Sequence, residues 1–340
     1  MSSTVRRVRR FLGGLSLACL CPSLLSGCIN LPLLAGPGPL RESQIGGERC
    51  SEFLGVELSC PPKIVMMDLS GVISAQESRG LLDESPSLLA RIKEELTLAG
   101  DDPTVQALVL RINSPGGTVA ASDVLYHEIR RFKEKKKIPV IASIMEVGAS
   151  GGYYVAMAAD QVVAHPSSVT GSLGVIMLTL NAQGLLEKIG VESTAITSGP
   201  RKDMGSPFRR LTDEERAIFQ KVIDGFYERF LGVIKEGRPR LSAEDIRKLA
   251  DGRIYSGDQA KTLGLVDGVG YLEDAVSLAK QQAGVNQARL VRYRRPGEYR
   301  PNIYALSSAV AGAGWSPWAG FDLFSLVRAG TPQFMYLWMP

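Results

Sequence analysis

Short apolar runs recur along the middle of the chain, and segments of helical periodicity separate them. The runs resemble buried strands in length and composition; they are Ile64–Leu69, Ala107–Ile112, Val140–Ile144 and Gln161–Ala164. Helices are predicted over Ser87–Ala99 and over Ser122–Lys135, the second opened by a Ser/Asp cap. Because a helix between two strands of one sheet forms a parallel β-α-β unit, the alternation predicts an α/β fold built on a parallel sheet.

The second half of the chain has a more helical pattern. Leu211–Lys235 reads as a long amphipathic helix, with Thr212 as its N-cap and Glu215 in the capping-box position. A smaller helical unit is predicted to follow, from Ser242 to Ala283. We therefore divide the chain into a signal sequence, a Gly- and Pro-rich tether, a folded domain and a C-terminal extension of unknown role, over residues 1–28, 29–62, 63–285 and 286–340.

The N-terminus has the layout of an export signal. Arg6, Arg7, Arg9 and Arg10 precede the apolar run Phe11–Leu25, which at about 15 residues is short for a membrane-spanning helix of about 20. The next residues, Ser26, Gly27 and Cys28, resemble the bacterial lipoprotein box. This predicts a chain lipidated at Cys28 and held at a membrane; an ordinary signal peptide or a retained signal anchor is the alternative.

Composition narrows the class of protein. With 340 residues, 45% of them hydrophobic and 22% charged, the chain is neither disordered nor a polytopic membrane protein. A net charge of +4 gives no basis for a nucleic-acid partner. Downstream of the signal region only Cys50 and Cys60 remain, so in an oxidising compartment they are candidates for a local disulfide or for two free thiols.

Two glycine-rich segments follow predicted strands at the end where parallel sheets bind ligands. The first is Asn113–Gly117 and the second is Gly148–Gly152, which contains Ser150. A serine between small residues at a strand-to-helix turn is exposed for attack, and the N–H groups after it can hold an oxyanion. Neither segment matches a phosphate loop or a dinucleotide fingerprint. We therefore predict Ser150 as a nucleophile, with a simple glycine turn as the alternative.

A nucleophilic serine needs a base, and the chain has only two histidines, His127 and His165. His127 lies within a predicted amphipathic helix and His165 ends a strand before a proline, so both favour structural roles. The scarcity of histidine points to a serine/lysine pair. In such a pair, burial or neighbouring cations must lower the pKa of the lysine so that its amine is neutral and can act as a base. Lys202 lies in a loop beside Arg201, but local sequence alone ranks it only slightly above other lysines.

The order of these motifs is more specific than any one of them. Arg111–Gly117, Gly148–Tyr154, Thr170–Gly174 and Ser198–Asp203 together resemble the signal peptide peptidase A family of serine proteases, over about Lys63–Ala283. The resemblance implies a ClpP/crotonase-like β-α-β spiral core with a helical C-terminal extension. It further implies Ser150 as nucleophile, Lys202 as general base, Ser172 as the residue that orients the lysine, and Gly117 with Gly151 as the oxyanion hole.

The family resemblance also implies peptide substrates, no cofactor or metal, and a homo-oligomer whose active sites can be shared between subunits. Combined with the signal region, it predicts an endopeptidase of the bacterial cell envelope, membrane-anchored and facing the extracytoplasmic side. Cleaved signal peptides and envelope protein fragments are the expected substrates. Two other functions stay open from sequence: a crotonase-like acyl-CoA enzyme, and a lipid-anchored scaffold whose serine and lysine are idle.

Tyr299–Pro340 holds the three tryptophans. We expect this segment to pack either on the protein's own surface or on a partner or membrane.

Overall fold

A computed structural model describes residues 39–53, 56–76, 78–79, 84–295 and 333–339, and all of them belong to one compact unit. The predicted signal sequence with Cys28 lies outside the described residues, as do Trp315 and Trp318. No helix in the described part of the chain is long and apolar enough to cross a membrane.

Sixteen strands and eight helices make up the described structure. The strands are β1 (Arg41–Gly47), β2 (Ser51–Phe53), β3 (Val56–Ser59), β4 (Lys63–Ser70), β5 (Ser78–Arg79), β6 (Glu84–Ser85), β7 (Val105–Ser114), β8 (Gly116–Thr118), β9 (Val140–Ala149), β10 (Gln161–Ala164), β11 (Val169–Gly171), β12 (Ile176–Leu178), β13 (Ile254–Ser256), β14 (Gly268–Val269), β15 (Arg289–Arg294) and β16 (Gln333–Leu337). The helices are α1 (Leu88–Asp101), α2 (Val119–Lys136), α3 (Gly151–Ala156), α4 (Gln183–Lys188), α5 (Asp213–Gly237), α6 (Ala243–Leu249), α7 (Gly257–Thr262) and α8 (Leu272–Gln282).

The main sheet has nine strands, and its path runs β1-β15-β4-β7-β9-β10-β14. Every neighbouring pair from β15 to β14 is parallel, whereas β1 is an antiparallel edge strand. Beyond the end of β10, β11 pairs in parallel with β9, and β13 pairs antiparallel with β11. The predicted α/β architecture, with parallel strands joined through helices, is confirmed.

Apolar side chains cover both faces of this sheet, as parallel sheets require. Along β4, Val65 and Met67 belong to one core cluster, while Ile64 and Met66 belong to the other. Helices α1, α2 and α3 contribute to the first cluster, and α8 covers the second. The strands are therefore fixed from both sides, which holds their carboxyl ends in place.

The helix N-caps lie where the sequence indicates, except in α2. Ser87 caps α1, Ser242 caps α6, and α5 has the predicted capping box of Thr212 and Glu215. Helix α2 begins at Val119, three residues before its predicted start, because the Thr118 hydroxyl accepts the N–H of Ala121.

Two predicted boundaries differ from the structure. The tether predicted over 29–62 contains β1, which pairs with β15, and the β2-β3 hairpin, where a disulfide joins Cys50 to Cys60. The C-terminal extension predicted over 286–340 supplies β15, which lies inside the main sheet beside β4. Strand β1 is mostly exposed or half-buried, so it lacks the apolar run that marks a buried strand.

Candidate active site

The carboxyl ends of β7 and β9 meet at one edge of the sheet, where Ser114 pairs with Gly148. Strand β9 ends at Ala149, and the next residue, Ser150, begins the turn into α3. The Ser150 N–H donates to the carbonyl of Gly171 at 2.7 Å, and the Ser150 carbonyl accepts the N–H of Tyr154 at 2.9 Å. The predicted strand-to-helix turn at Ser150 is therefore formed and fixed by backbone bonds on both sides.

The backbone of Ser150 is strained. Its φ of 50° and ψ of −114° lie in a region that costs a residue with a side chain about 1–3 kcal/mol. The residue is only 1% exposed, and its Oγ has no hydrogen-bond partner among the described residues. A buried hydroxyl without a partner is unfavourable for stability, so strain and burial together support Ser150 as the candidate nucleophile.

Backbone atoms approach one another closely around this serine, and only glycine fits there. A Cβ on Gly151 would lie 2.5 Å from Ser122 Oγ and 3.1 Å from the nitrogen of Gly117. A Cβ on Gly117 would lie 1.9 Å from the carbonyl oxygen of Ile73. The two glycine-rich segments are thus brought together, and the Gly117 nitrogen lies close to Gly151, the residue after Ser150.

A strand from the C-terminal region lies against these groups. Strand β16 pairs antiparallel with β8, so that Tyr336 stands opposite Gly117. The Trp338 N–H donates to the Pro115 carbonyl at 2.8 Å, and bonded pairs alternate along an antiparallel ladder, so Tyr336 and Gly117 are also a bonded pair. The Tyr336 carbonyl therefore receives the Gly117 N–H. A Cβ on Gly116 would lie 2.0 Å from this oxygen and 2.8 Å from the Gly151 nitrogen.

Ser172 lies beside the nucleophile turn. It directly follows β11, whose Gly171 pairs with Ala149, and it has a positive φ of 49°. Its N–H donates to the Arg253 carbonyl at 2.7 Å, and the residue is half-buried. The structure brings Ser172 and Ser150 to adjacent strand ends.

Lys202 makes no hydrogen bond to Ser150 in the described structure. It is exposed and sits in a turn where its N–H donates to the Gly199 carbonyl. The next residue, Asp203, is held by Arg209 at 2.7 and 2.8 Å, and the same guanidinium binds Glu215 at the start of α5. These bonds lower the pKa of Asp203 and lower that of Glu215 to about 2. Arg209 thus anchors the lysine-bearing turn to α5.

Neither histidine makes a hydrogen bond to Ser150 Oγ in the described structure. His127 is exposed on α2. His165 faces the ring of Tyr271 with 5.0 Å between ring centroids, and its Nδ1 accepts the N–H of Ser167. The structural role predicted for His165 agrees with these contacts. Among the described residues, no group of three or more His, Cys, Asp or Glu side chains could hold a metal ion.

Two residues near the site escaped the sequence interpretation. The hydroxyl of Ser122 is buried without a hydrogen-bond partner in the described structure, next to Gly151. Tyr154, one turn after Ser150, donates its hydroxyl to Asp123, and burial raises the pKa of this phenol. Ser122 is predicted from its sequence context only as a helix cap, and no local pattern places it beside Gly151 at the start of α3.

Fold and site together define a serine hydrolase on an α/β scaffold. The model of peptidase family S49 matches residues 132–286. A protein assigned as signal peptide peptidase SppA in Enterococcus faecium is 36% identical over 232 residues, covering 68% of this chain and 67% of the relative. A protein assigned as protease slr0021 in Synechocystis is 39% identical over 224 residues, covering 66% and 76%. A solved ClpP1 mutant from Listeria monocytogenes covers 62% of this chain and 94% of its own, with 20% identity and a TM-score of 0.40.

The chain belongs to peptidase family S49, among the SppA-like serine proteases. It is therefore a serine peptidase, and its core is the parallel-dominated α/β sheet described above.

Proposed function

We propose that the chain is a membrane-anchored serine endopeptidase in which Ser150 is the nucleophile and Lys202 the general base. The supporting observation is the turn at Ser150, where a strained, buried serine without a hydrogen-bond partner lies beside two backbone N–H groups. Those groups, from Gly117 and Gly151, form the oxyanion hole. A peptide carbonyl between them would lie within reach of the serine.

The reaction is an acyl transfer. The neutral Lys202 amine takes the proton of Ser150 Oγ, the oxygen attacks the peptide carbonyl, and the oxyanion of the tetrahedral intermediate accepts hydrogen bonds from Gly117 and Gly151. The intermediate collapses as the lysine returns the proton to the leaving amine. Water then attacks the acyl-enzyme, with the lysine again as base, and releases the carboxylic acid. Ser172 accepts a hydrogen bond that orients the lysine.

The lysine comes from a neighbouring copy of the chain. Lys202 is exposed and has no bond to Ser150, so within one chain the base and the nucleophile are separate. The segment around it exposes six large apolar side chains, each at least 48% accessible; they are Leu180, Leu185, Ile189, Val191, Ile196 and Phe208. An apolar surface of this kind favours association, and a head-to-tail ring would place one subunit's lysine at the next subunit's serine.

The membrane anchor is the lipidated Cys28, and the protein faces the extracytoplasmic side of the bacterial envelope. A disulfide between Cys50 and Cys60 is compatible with such an oxidising compartment. Cleaved signal peptides and fragments of envelope proteins are the proposed substrates. Cys28→Ser should release the full-length protein from membranes, as measured by fractionation; membrane association equal to that of the unchanged protein would refute the lipid anchor.

Substitution of the nucleophile tests the activity. Ser150→Ala should abolish peptide hydrolysis and labelling by a fluorophosphonate, while the matched control Ser167→Ala, at an exposed serine, should retain both. Lys202→Ala should abolish hydrolysis, and Lys221→Ala, at an exposed lysine of α5, should retain it. Hydrolysis that survives Ser150→Ala would exclude the proposed mechanism. Turnover of an acyl-CoA thioester by Ser150→Ala would favour the crotonase-like alternative, and an unchanged protein that neither hydrolyses nor labels would favour the scaffold.

A further inference from the structure

The hydroxyl of Ser122 is buried on α2 without a partner. The residue is 0% exposed, and its Oγ makes no hydrogen bond within the described residues. A serine inside a helix commonly donates its hydroxyl to the carbonyl one turn back or turns it toward solvent, and Ser122 does neither. Because an unpartnered buried hydroxyl is unfavourable, this oxygen does not stabilise the helix that carries it.

The Ser122 hydroxyl lies against the residue that follows the nucleophile. A Cβ on Gly151 would lie 2.5 Å from Ser122 Oγ, well inside van der Waals contact, whereas the next atom, the Gly117 nitrogen, would be 3.1 Å away. The hydroxyl therefore occupies the space of the side chain that residue 151 lacks. Helices α2 and α3 are in direct contact at this point.

Ser122 and Gly117 belong to one continuous element. Gly117 directly precedes Thr118, which caps α2, and Ser122 follows four residues later on that helix. The Thr118 hydroxyl accepts the N–H of Ala121 at 3.3 Å, which fixes the turn between them. Gly151 is the first residue of α3. The contact between Ser122 and Gly151 therefore sets how far the N–H of Gly151 lies from that of Gly117.

A second close contact holds the start of α3. A Cβ on Gly152 would lie 2.7 Å from the carbonyl oxygen of Ser114, at the end of β7. The Ser114 hydroxyl is itself bonded, since it donates to the Gly71 carbonyl at 2.7 Å and accepts the Gly116 N–H at 3.1 Å. Loss of the Ser122 oxygen would thus leave β7 in place and open space beside Gly151 on the α2 side only.

We propose that Ser122 is a positioning residue of the peptidase, whose Oγ packs on Gly151 and sets the separation of the two N–H groups that hold the oxyanion. This rests on the proposed peptidase function. An oxyanion hole is effective because its donors are preorganised where negative charge develops. Displacement of one donor weakens its hydrogen bond in the transition state and leaves ground-state binding of the peptide almost unchanged, so kcat falls while KM does not change.

The first measurement compares Ser122→Ala with the unchanged protein on a fluorogenic peptide. With one oxygen removed, kcat should fall about tenfold while KM stays within about twofold. A peptide aldehyde, whose tetrahedral adduct with Ser150 carries the oxyanion, should bind about tenfold more weakly. The temperature of thermal unfolding should be unchanged or higher, because an unpartnered buried hydroxyl has been removed. The matched control is Ser168→Ala, at a hydroxyl that is likewise buried and unpartnered in the described structure but lies beside Gly257; it should retain kcat.

A compensating pair of substitutions makes the test independent of a general loss of folding. Gly151→Ala should lower kcat/KM about 100-fold, since its Cβ meets the Ser122 oxygen at 2.5 Å. Ser122→Gly removes that obstacle, so the double variant should be about tenfold or more active than Gly151→Ala, although Ser122→Gly alone lowers kcat. An unchanged kcat in Ser122→Ala, or a double variant no more active than Gly151→Ala, would overturn this proposal while Ser150→Ala still abolishes hydrolysis. Hydrolysis that survives Ser150→Ala would instead refute the peptidase mechanism itself.

Discussion

Two inactive variants should restore activity when they are mixed, if the lysine acts across a subunit boundary. Ser150→Ala keeps a working base and Lys202→Ala keeps a working nucleophile. The structure motivates the experiment, because Lys202 is exposed and makes no bond to the buried Ser150 hydroxyl of its own chain. In a ring with head-to-tail interfaces, each active site needs one intact serine and one intact lysine from adjacent copies.

The size of the recovery follows from random assembly. In an equimolar mixture, half of the subunits carry the intact serine, and half of their lysine-donating neighbours carry the intact lysine, so about one quarter of all sites are complete. The expected specific activity is thus about one quarter of that of the unchanged protein, at saturating peptide and with freely exchanging subunits. A lysine acting within its own chain gives no recovery at any ratio, because every chain then lacks one of the two groups.

The assay is hydrolysis of a fluorogenic peptide by mixtures that have been dissociated and reassembled. Subunit exchange is monitored by energy transfer between differently labelled variants. A protein that carries both substitutions serves as control, since mixing it with either single variant creates no complete site. Efficient exchange without recovery would refute the shared site, and full activity of Lys202→Ala alone would refute the lysine as base.

Three further predictions concern charged groups around this framework. Arg209→Ala should lower kcat about tenfold, since it frees the lysine-bearing turn from α5, and NMR titration should show the pKa of Glu215 returning toward its ordinary value. Because Arg209 lowers the pKa of Glu215 from 4.5 to about 2, the stability from this pair is complete above pH 4.5 and is lost as pH falls toward 2; acid unfolding of Glu215→Gln should lack that part of the decline. Asp68→Asn leaves two buried arginines without their carboxylate, so it should lower the free energy of unfolding, measured in urea, by about 3–5 kcal/mol. The control Glu244→Gln removes a charge from an exposed ion pair and should change the free energy of unfolding by less than about 1 kcal/mol. Equal effects of the two substitutions would contradict the importance of burial.

Most of the core was predictable because its strands are buried on both faces. Such strands are nearly continuous apolar runs, as in Ile64–Leu69, and the residues that cap the helices between them have strong local signals. Strand β1 has no such run, since it is an edge strand with exposed residues. Strand β15 contains four arginine or tyrosine residues among six, and one of them, Arg292, is buried and pairs with the buried Asp68. Tertiary pairing, which a local pattern does not encode, creates both strands.

The site could be predicted from sequence only where its residues are close together along the chain. A short run of small residues predicts the turn at Ser150. The close backbone approaches at Gly117 and Gly151 explain why these two positions have no side chain. Ser122 lies on another element, and its position beside Gly151 exists only after α2 has packed onto the sheet. Lys202 is the site residue that sequence predicts least, because its proposed partner belongs to a second copy of the chain. Local sequence therefore leaves it almost indistinguishable from other exposed lysines.

The described structure separates the two conditions that the proposed reaction requires. Ser150 is buried at a strand end, and the proposed base lies in solvent on an exposed turn. The proposed hydrolysis therefore requires that a neighbouring copy deliver Lys202. If the lysine arrives only on assembly, as proposed, an isolated chain of this peptidase has a buried nucleophile without its base.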